Sequence, residues 1–196
     1  FFRVFGNSSA QLTVTLPGDW ANGDLVLDSV SGSVNILDPI SADRLAWSTV
    51  SGAIRFEHID DSGNVSLSTV SGKIEGGQII AQRATIESVS GAIEIDSMET
   101  DSQNLLEVST VSGRIKLPNL KADKIIVDSV SGAIECNLPR QYSGRLKLKT
   151  VSGAIRTSLT SKVYESSDNR TRSYTFGDGN GSIEISTTSG AISIVE

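Results

Sequence analysis

This sequence predicts an all-β chain wound as a parallel β-solenoid, and three observations carry that reading. A short phrase, Val-Ser-Gly followed by a small or polar residue and then Ile or Val, recurs along the chain. Its copies are spaced at nearly constant intervals. On either side of each copy, apolar and polar residues alternate with the period of a half-buried strand.

Residues 1–23 form an irregular opening. Leu12, Val14 and Leu16 alternate, no Val-Ser-Gly follows them, and Pro17-Gly18-Asp19 signals a turn. The expectation is an N-terminal cap or a partial coil. The chain opens on Phe1 rather than Met, which reads as a piece of a longer protein. The motif then begins at Val30, Val50, Val70, Val89, Val111, Val130 and Val151, and a last copy reads Thr188-Ser189-Gly190. Successive motif serines are 20, 20, 19, 22, 19, 21 and 37 residues apart. The expected architecture is a single-stranded parallel β-helix or β-roll of about eight coils of ~20 residues, one domain over residues 1–196. The general preference of parallel crossovers makes it right-handed.

Counting from the motif serine, positions −6 and −4 are mostly apolar, from Leu25 and Leu27 through Leu45 and Trp47 to Ile183 and Ile185. Position +3 is always Ile or Val, and +5 is usually apolar, with Gly76 and Thr157 as exceptions. A third inward residue near +8 (Ile59, Ile79, Met98, Leu120) closes the coil. The inward phase is even before the corner and odd after it, so the corner must break the pleat. The motif glycines Gly32, Gly52, Gly72, Gly91, Gly113, Gly132, Gly153 and Gly190 suit that bend by tolerating positive φ. The motif serines are expected to stack and satisfy backbone groups. The valines at −1 are expected to turn inward; facing out, they would make an apolar docking stripe.

At +4 the units read Asn35, Arg55, Glu75, Glu94, Lys116, Glu135, Arg156 and Ser193. Stacked in chain order, Arg55 meets Glu75, Glu94 meets Lys116, Lys116 meets Glu135, and Glu135 meets Arg156. Only Glu75 and Glu94 are like-charged neighbours.

The long last step contains an insertion over residues 158–180, with Val163, Tyr164, Tyr174 and Phe176. It reads as a hairpin arm covering the last coils or as a contact loop. Gly177-Asp178-Gly179-Asn180-Gly181 reads as a turn before the final strand.

Net charge is −6, yet residues 140–172 hold eight basic and two acidic residues, leaving −12 on the rest. Arg145, Lys147 and Lys149 share the outward face of one strand, balanced in the simplest reading by Asp128 on the neighbouring coil. With Tyr164, Arg170, Arg172, Tyr174 and Phe176 they are the candidate partner contacts.

An acidic chain lacks the basic footprint of a nucleic-acid binder, and no apolar run is long enough to span a membrane. The one histidine, His58, with Asp60 and Asp61, reads as a surface turn closed by Ser62-Gly63-Asn64 rather than a metal site. One histidine cannot serve eight motif serines as catalytic base, and no acidic pair recurs on one face. No cofactor is expected. Cys136, the one cysteine, takes an inward +5 slot as a core residue.

The repeated strand–Val-Ser-Gly-x-Ile–strand unit, and the ending from Phe176 to Ile192 with Ser182-Ile183-Glu184-Ile185-Ser186-Thr187-Thr188-Ser189-Gly190, resembles the bacterial adhesin-type β-strand repeat family. That family is similar to the β-rich domain of LiaX-type cell-envelope stress proteins of Gram-positive bacteria. The resemblance implies a cell-surface or extracytoplasmic location. It also implies a non-catalytic binding or regulatory role in envelope-stress or antimicrobial-peptide sensing. The partners implied are an envelope protein, a cationic peptide or a surface polymer. An adhesin or structural spacer binding surface glycans or proteins is the alternative.

Overall fold

The computed structural model describes residues 23–100, 105–159, 163–167 and 170–196. Of the expected cap at residues 1–23, residues 1–22, with Leu12, Val14 and Leu16, lie outside the described residues, as do Lys162, Asp168 and Asn169. The described strands are β1 (Asp24–Ser29), β2 (Val34–Ile36), β3 (Arg44–Thr49), β4 (Ile54–Thr69), β5 (Ile74–Ser88), β6 (Ile93–Glu99), β7 (Leu105–Thr110), β8 (Ile115–Leu117) and β9 (Leu120–Lys121). They continue as β10 (Lys124–Ser129), β11 (Ile134–Asn137), β12 (Gly144–Thr150), β13 (Ile155–Ser158), β14 (Val163–Ser167), β15 (Thr171–Phe176), β16 (Gly181–Thr187) and β17 (Ile192–Val195).

Parallel pairing from each turn to the next builds two long ladders that meet at the Val-Ser-Gly corners. On the first ladder the −6 residues form one column, Leu25–Leu45–Val65–Ala84–Leu106–Ile125–Ile183–Leu146. On the second, the +3 residues run Val34–Ile54–Ile74–Ile93–Ile115–Ile134–Ile192–Ile155. A short third side stacks Ile40, Ile59, Ile79, Met98 and Leu120. Nearly all of these side chains are fully buried, so the core is a continuous apolar column between the three sides. No single turn can bury its own inward face, and stacking supplies the missing neighbour.

The turn count and the stacking order correct the sequence reading. From Asp24 through Arg44, Asn64, Arg83 and Leu105 to Lys124, the chain makes five turns in regular succession. The last two units then stack out of chain order. β16 lies between β10 and β12, and β17 between β11 and β13. Glu135 therefore faces Ser193, with Arg156 one rung beyond. Arg55 does meet Glu75, at 3.5 Å. The like-charged neighbours Glu75 and Glu94 are bridged by Lys73, 3.0 and 2.7 Å away. Hydrogen bonding to that ammonium holds the Glu75 carboxyl below the usual carboxylate range against an opposing effect of burial, with the charges of Lys73 and Arg55 adding to it.

The His58–Asn64 stretch is no turn. β4 runs through it with a register irregularity between Ile59 and Ser62. Ser62 is buried, and its Oγ accepts the Ala42 N–H at 3.3 Å. Gly76, the odd residue of the +5 column, is also explained. The Phe56 ring occupies the space that a Cβ on Gly76 would take, and Phe56 packs against Trp47 at a 6.3 Å ring separation.

The insertion folds as an antiparallel hairpin. β14 pairs with β15, and β15 pairs with the outer edge of β12. Tyr174 stands opposite Leu146 and Phe176 opposite Gly144, and both side chains are buried. The arm thus closes the end of the core. Thr157, the other exception at +5, is matched to this lid, since its hydroxyl lies 3.1 Å from the Tyr174 hydroxyl. Cys136 is fully buried, and desolvation, with a smaller repulsion from Glu135, pushes its thiol up to about 12. Thiol reagents at pH 8 should therefore modify native Cys136 far more slowly than the unfolded chain, since burial both blocks access and disfavours the thiolate. Timed alkylation followed by mass spectrometry checks this, and comparable rates would contradict the buried placement.

Candidate functional site

The corner is built from four residues whose burial alternates in an unusual way. The Ser or Thr at −2 is buried in every unit but the first, where Ser29 is half-buried; the residues at −1 (Val, and Thr188 in the last unit) and 0 are exposed, and the glycine at +1 is buried in most units. Two successive outward residues are what shifts the inward phase from even to odd. The valines therefore face solvent, contrary to the expectation that they complete the core. Val30, Val50, Val70, Val89, Val111, Val130 and Val151 are 44–55% exposed.

Two sets of hydroxyls hold this corner. The buried −2 hydroxyl accepts the glycine N–H three residues on, as in Thr69 with Gly72 at 3.0 Å and Ser88 with Gly91 at 2.8 Å. The motif serine N–H donates to the valine carbonyl one rung back, from Ser51 to Val30 at 2.9 Å and from Ser90 to Val70 at 2.8 Å. Its hydroxyl donates to the same kind of carbonyl, from Ser71 to Val50 and from Ser90 to Val70 at 3.1 Å. The motif serines are thus structural donors, and the chain's only histidine, His58, stands away from the corner on β4. The −2 position is Ser or Thr in every unit, a signal present in the sequence that strand alternation alone passed over. Thr69→Val keeps the shape and strands the buried Gly72 N–H. It is expected to cost about 1–3 kcal/mol, while Thr69→Ser costs less. Urea denaturation of the two variants decides, and equal losses would argue against a role for the hydroxyl.

The motif glycines do not use positive φ, which among the described glycines occurs only at Gly23, Gly177 and Gly179. Their requirement is space. A Cβ on Gly52, Gly72, Gly91, Gly113 or Gly132 would overlap the carbonyl oxygen of the motif glycine one rung back. The same test places Gly190 against Gly132 and Gly153 against Gly190, an independent trace of the exchanged stacking order.

The outcome is a straight stripe along one corner. Rungs follow at about 4.8 Å, with valine at six consecutive rungs, then Thr188, then Val151. Beside it on the strand face runs the −3 column, with Asp28, Glu87 and Asp128 among serines over the first six rungs and Lys149 at the last. Elsewhere, a shallow groove of about 540 Å³ crosses the second ladder where Gly77 lacks a side chain, bordered by Arg55, Glu57, His58, Glu94 and Asp96. Among the described residues no group of three or more His, Cys, Asp or Glu side chains is placed to hold a metal ion.

The candidate partner residues fall into two groups. Arg145, Lys147 and Lys149 are exposed on the outer face of β12. Their balancing acid is not Asp128, whose carboxylate instead accepts the Ser186 hydroxyl. It is Glu184, 2.8 Å from Lys147. Arg170 is exposed at the start of the hairpin's second strand. Arg172, Tyr174 and Phe176 share the inward side of β15 instead. Arg172 is half-buried, with Nη1 3.5 Å from the Thr157 hydroxyl, and the two aromatics are core residues. Tyr164 pairs through its backbone with Tyr174. Sequence patterning could not separate a lid from a contact loop, because both carry aromatics.

Among the comparisons with known proteins, the family model described as Toastrack DUF4097 matches residues 1–195. No curated protein and no solved structure matches the chain.

Proposed function

The chain belongs to the Toastrack DUF4097 family, and on that premise we propose that it is a non-catalytic, extracytoplasmic binding and regulatory module of the bacterial cell envelope, in the setting of envelope stress. The single observation that carries this reading is the exposed valine stripe. A solvated corner needs no apolar residue, and seven valines in line form a patch of the kind that marks interaction surfaces. The neighbouring acidic column favours a cationic, amphipathic peptide as occupant, its apolar face on the valines and its charges toward Asp28, Glu87 and Asp128.

The test is calorimetric titration of the domain with a cationic envelope-active peptide at low and at moderate salt, on the native chain and on Val70→Ser/Val89→Ser. Saturable binding that survives moderate salt and weakens at least fivefold in the variant is expected. Binding that is lost with modest salt, or that ignores the valine changes, refutes the stripe as the site. The second reading, a structural spacer or adhesin, is favoured by the uniform core along five successive turns, which gives a stiff rod.

A further inference from the structure

The exchanged order of the last two units has a consequence for association. Among the described residues β12 and β13 join the ladders of the solenoid body through β16 and β17 and pair with neither β10 nor β11. Backbone hydrogen bonds run from both sides into the inserted segment. Thr188 and Ser189 donate to Ser129 and Val130, while Ser152 donates to Thr188 at 2.9 Å. Ile134 donates to Ala191, and Ile192 to Ala154. The body and unit seven therefore form a two-sided slot that the 181–195 segment fills as a pair of strands.

The connection that opens this slot has no extra length. Lys124 and Arg145 are 21 residues apart and two rungs apart, since both are register partners of Ser182. Earlier turns spend 19 to 22 residues on a single rung. The same linker thus permits unit seven to sit directly on unit six. Closing the slot sets Asp128 against Lys149 across Ser186 and Glu135 against Arg156 across Ser193, and it also brings Lys124 opposite Arg145 across Ser182, so two of these three charged contacts are complementary. The slot has two self-consistent states, filled and closed, and the filler is one contiguous piece.

We propose that this slot is a strand-acceptor site, and that its ligand in trans is residues 181–195 of a second copy of this chain, giving a reciprocally exchanged dimer. The segment meets what the slot requires: Thr187 at −2, a glycine, Gly190, whose missing Cβ admits the Gly132 carbonyl while its own carbonyl sits where Gly153 lacks a Cβ, and isoleucines at +3 and +5. Other units share this pattern, and what singles out 181–195 is the hinge that carries it. The hinge is the 177–180 loop. Phe176 and Gly181 flank Gly144 on opposite sides, so the loop crosses two strand spacings, about 9.6 Å. Ser143 straps it, its Oγ accepting the Asp178 N–H at 2.9 Å and its carbonyl accepting the Gly181 N–H at 3.1 Å. Gly177 and Gly179 supply the left-handed turn, with φ of 52° and 74°.

The hinge length gives the experiment. Deleting Asp178, Gly179 and Asn180 leaves two Cα–Cα steps between Phe176 and Gly181, a reach of at most about 7.6 Å. A chain so shortened cannot fill its own slot while β15 stays paired, and short hinges drive exchange. Lys149→Cys and Ser186→Cys, register partners on exposed faces, report whose strand is in place. In the full-length chain their disulfide is expected within one polypeptide. In the shortened chain the mass by light scattering should double, and the disulfide should join two polypeptides on a non-reducing gel. A shortened chain that stays monomeric, or a dimer without the intermolecular disulfide, overturns the proposal. If the shortened chain aggregates, the full-length double-cysteine chain decides, refolded from denaturant over a hundredfold range of concentration. A rising intermolecular fraction supports the acceptor site, and a disulfide that stays intramolecular throughout overturns it.

Discussion

Gly91→Ala is expected to cost about 3 kcal/mol or more, at or above the upper end of overpacking losses, whereas Gly32→Ala costs well under half of that. Both glycines hold the same motif position and neither has a positive φ, so conformational freedom predicts equal effects. Space predicts the contrast. A Cβ at Gly91 overlaps the Gly72 carbonyl oxygen, a backbone atom that cannot swing aside without pulling the Val70–Gly72 corner off its ladder. At Gly32 the nearest atom among the described residues is the Ser29 Oγ, 2.9 Å away, at the end of a short side chain on the exposed first described corner. Urea denaturation resolves the difference, since about 3 kcal/mol moves the midpoint by roughly 1–3 M for typical urea slopes. Equal shifts at the two positions would show that the glycines serve the bend and not the stacking.

The second large effect is expected at Phe176. Truncation to alanine should destabilise the chain by about 3–5 kcal/mol, the usual loss for a buried aromatic ring. Phe176 is buried at the end of the core, edge-on to Tyr142 with ring centres 5.7 Å apart. Its loss opens the seam where β15, β12 and the hinge meet. The partner-contact reading predicts the opposite pattern, normal stability with weakened binding. Thermal melting beside the peptide titration separates them. A variant that melts like the native chain and binds more weakly would restore Phe176 to the contact surface.

Much of the architecture was legible because its signals are local and repeated. The inward columns at −6, −4, +3, +5 and +8 follow from alternation, and the stacking of like residues follows from the constant step. The valine direction was not legible from hydropathy, since a β-branched residue beside a core strand usually belongs to the core. The parity count contained the answer. An even-to-odd switch requires two successive residues on one side, and the buried −2 hydroxyl leaves only Val and Ser to be outside. The basic strand was placed correctly on an outward face, but its counter-ion was misassigned because Glu184 lies far along the chain. Tyr174 and Phe176 looked like contacts because an insertion gives no sign of which side it presents.

The solenoid, nearly every core position and the place of each corner follow from the amino-acid pattern. These depend on period and alternation, which every unit repeats. The order in which the last two units stack, the outward stripe of valines and the role of the insertion as a lid emerge once the turns are packed together. All units carry the same inward residues and the same corner, so local energetics accept any neighbour. The choice between neighbours rests on a few longer-range terms: the Glu184–Lys147 pair, the fit of the hairpin on β12, and the reach of the loop that carries the last unit across it.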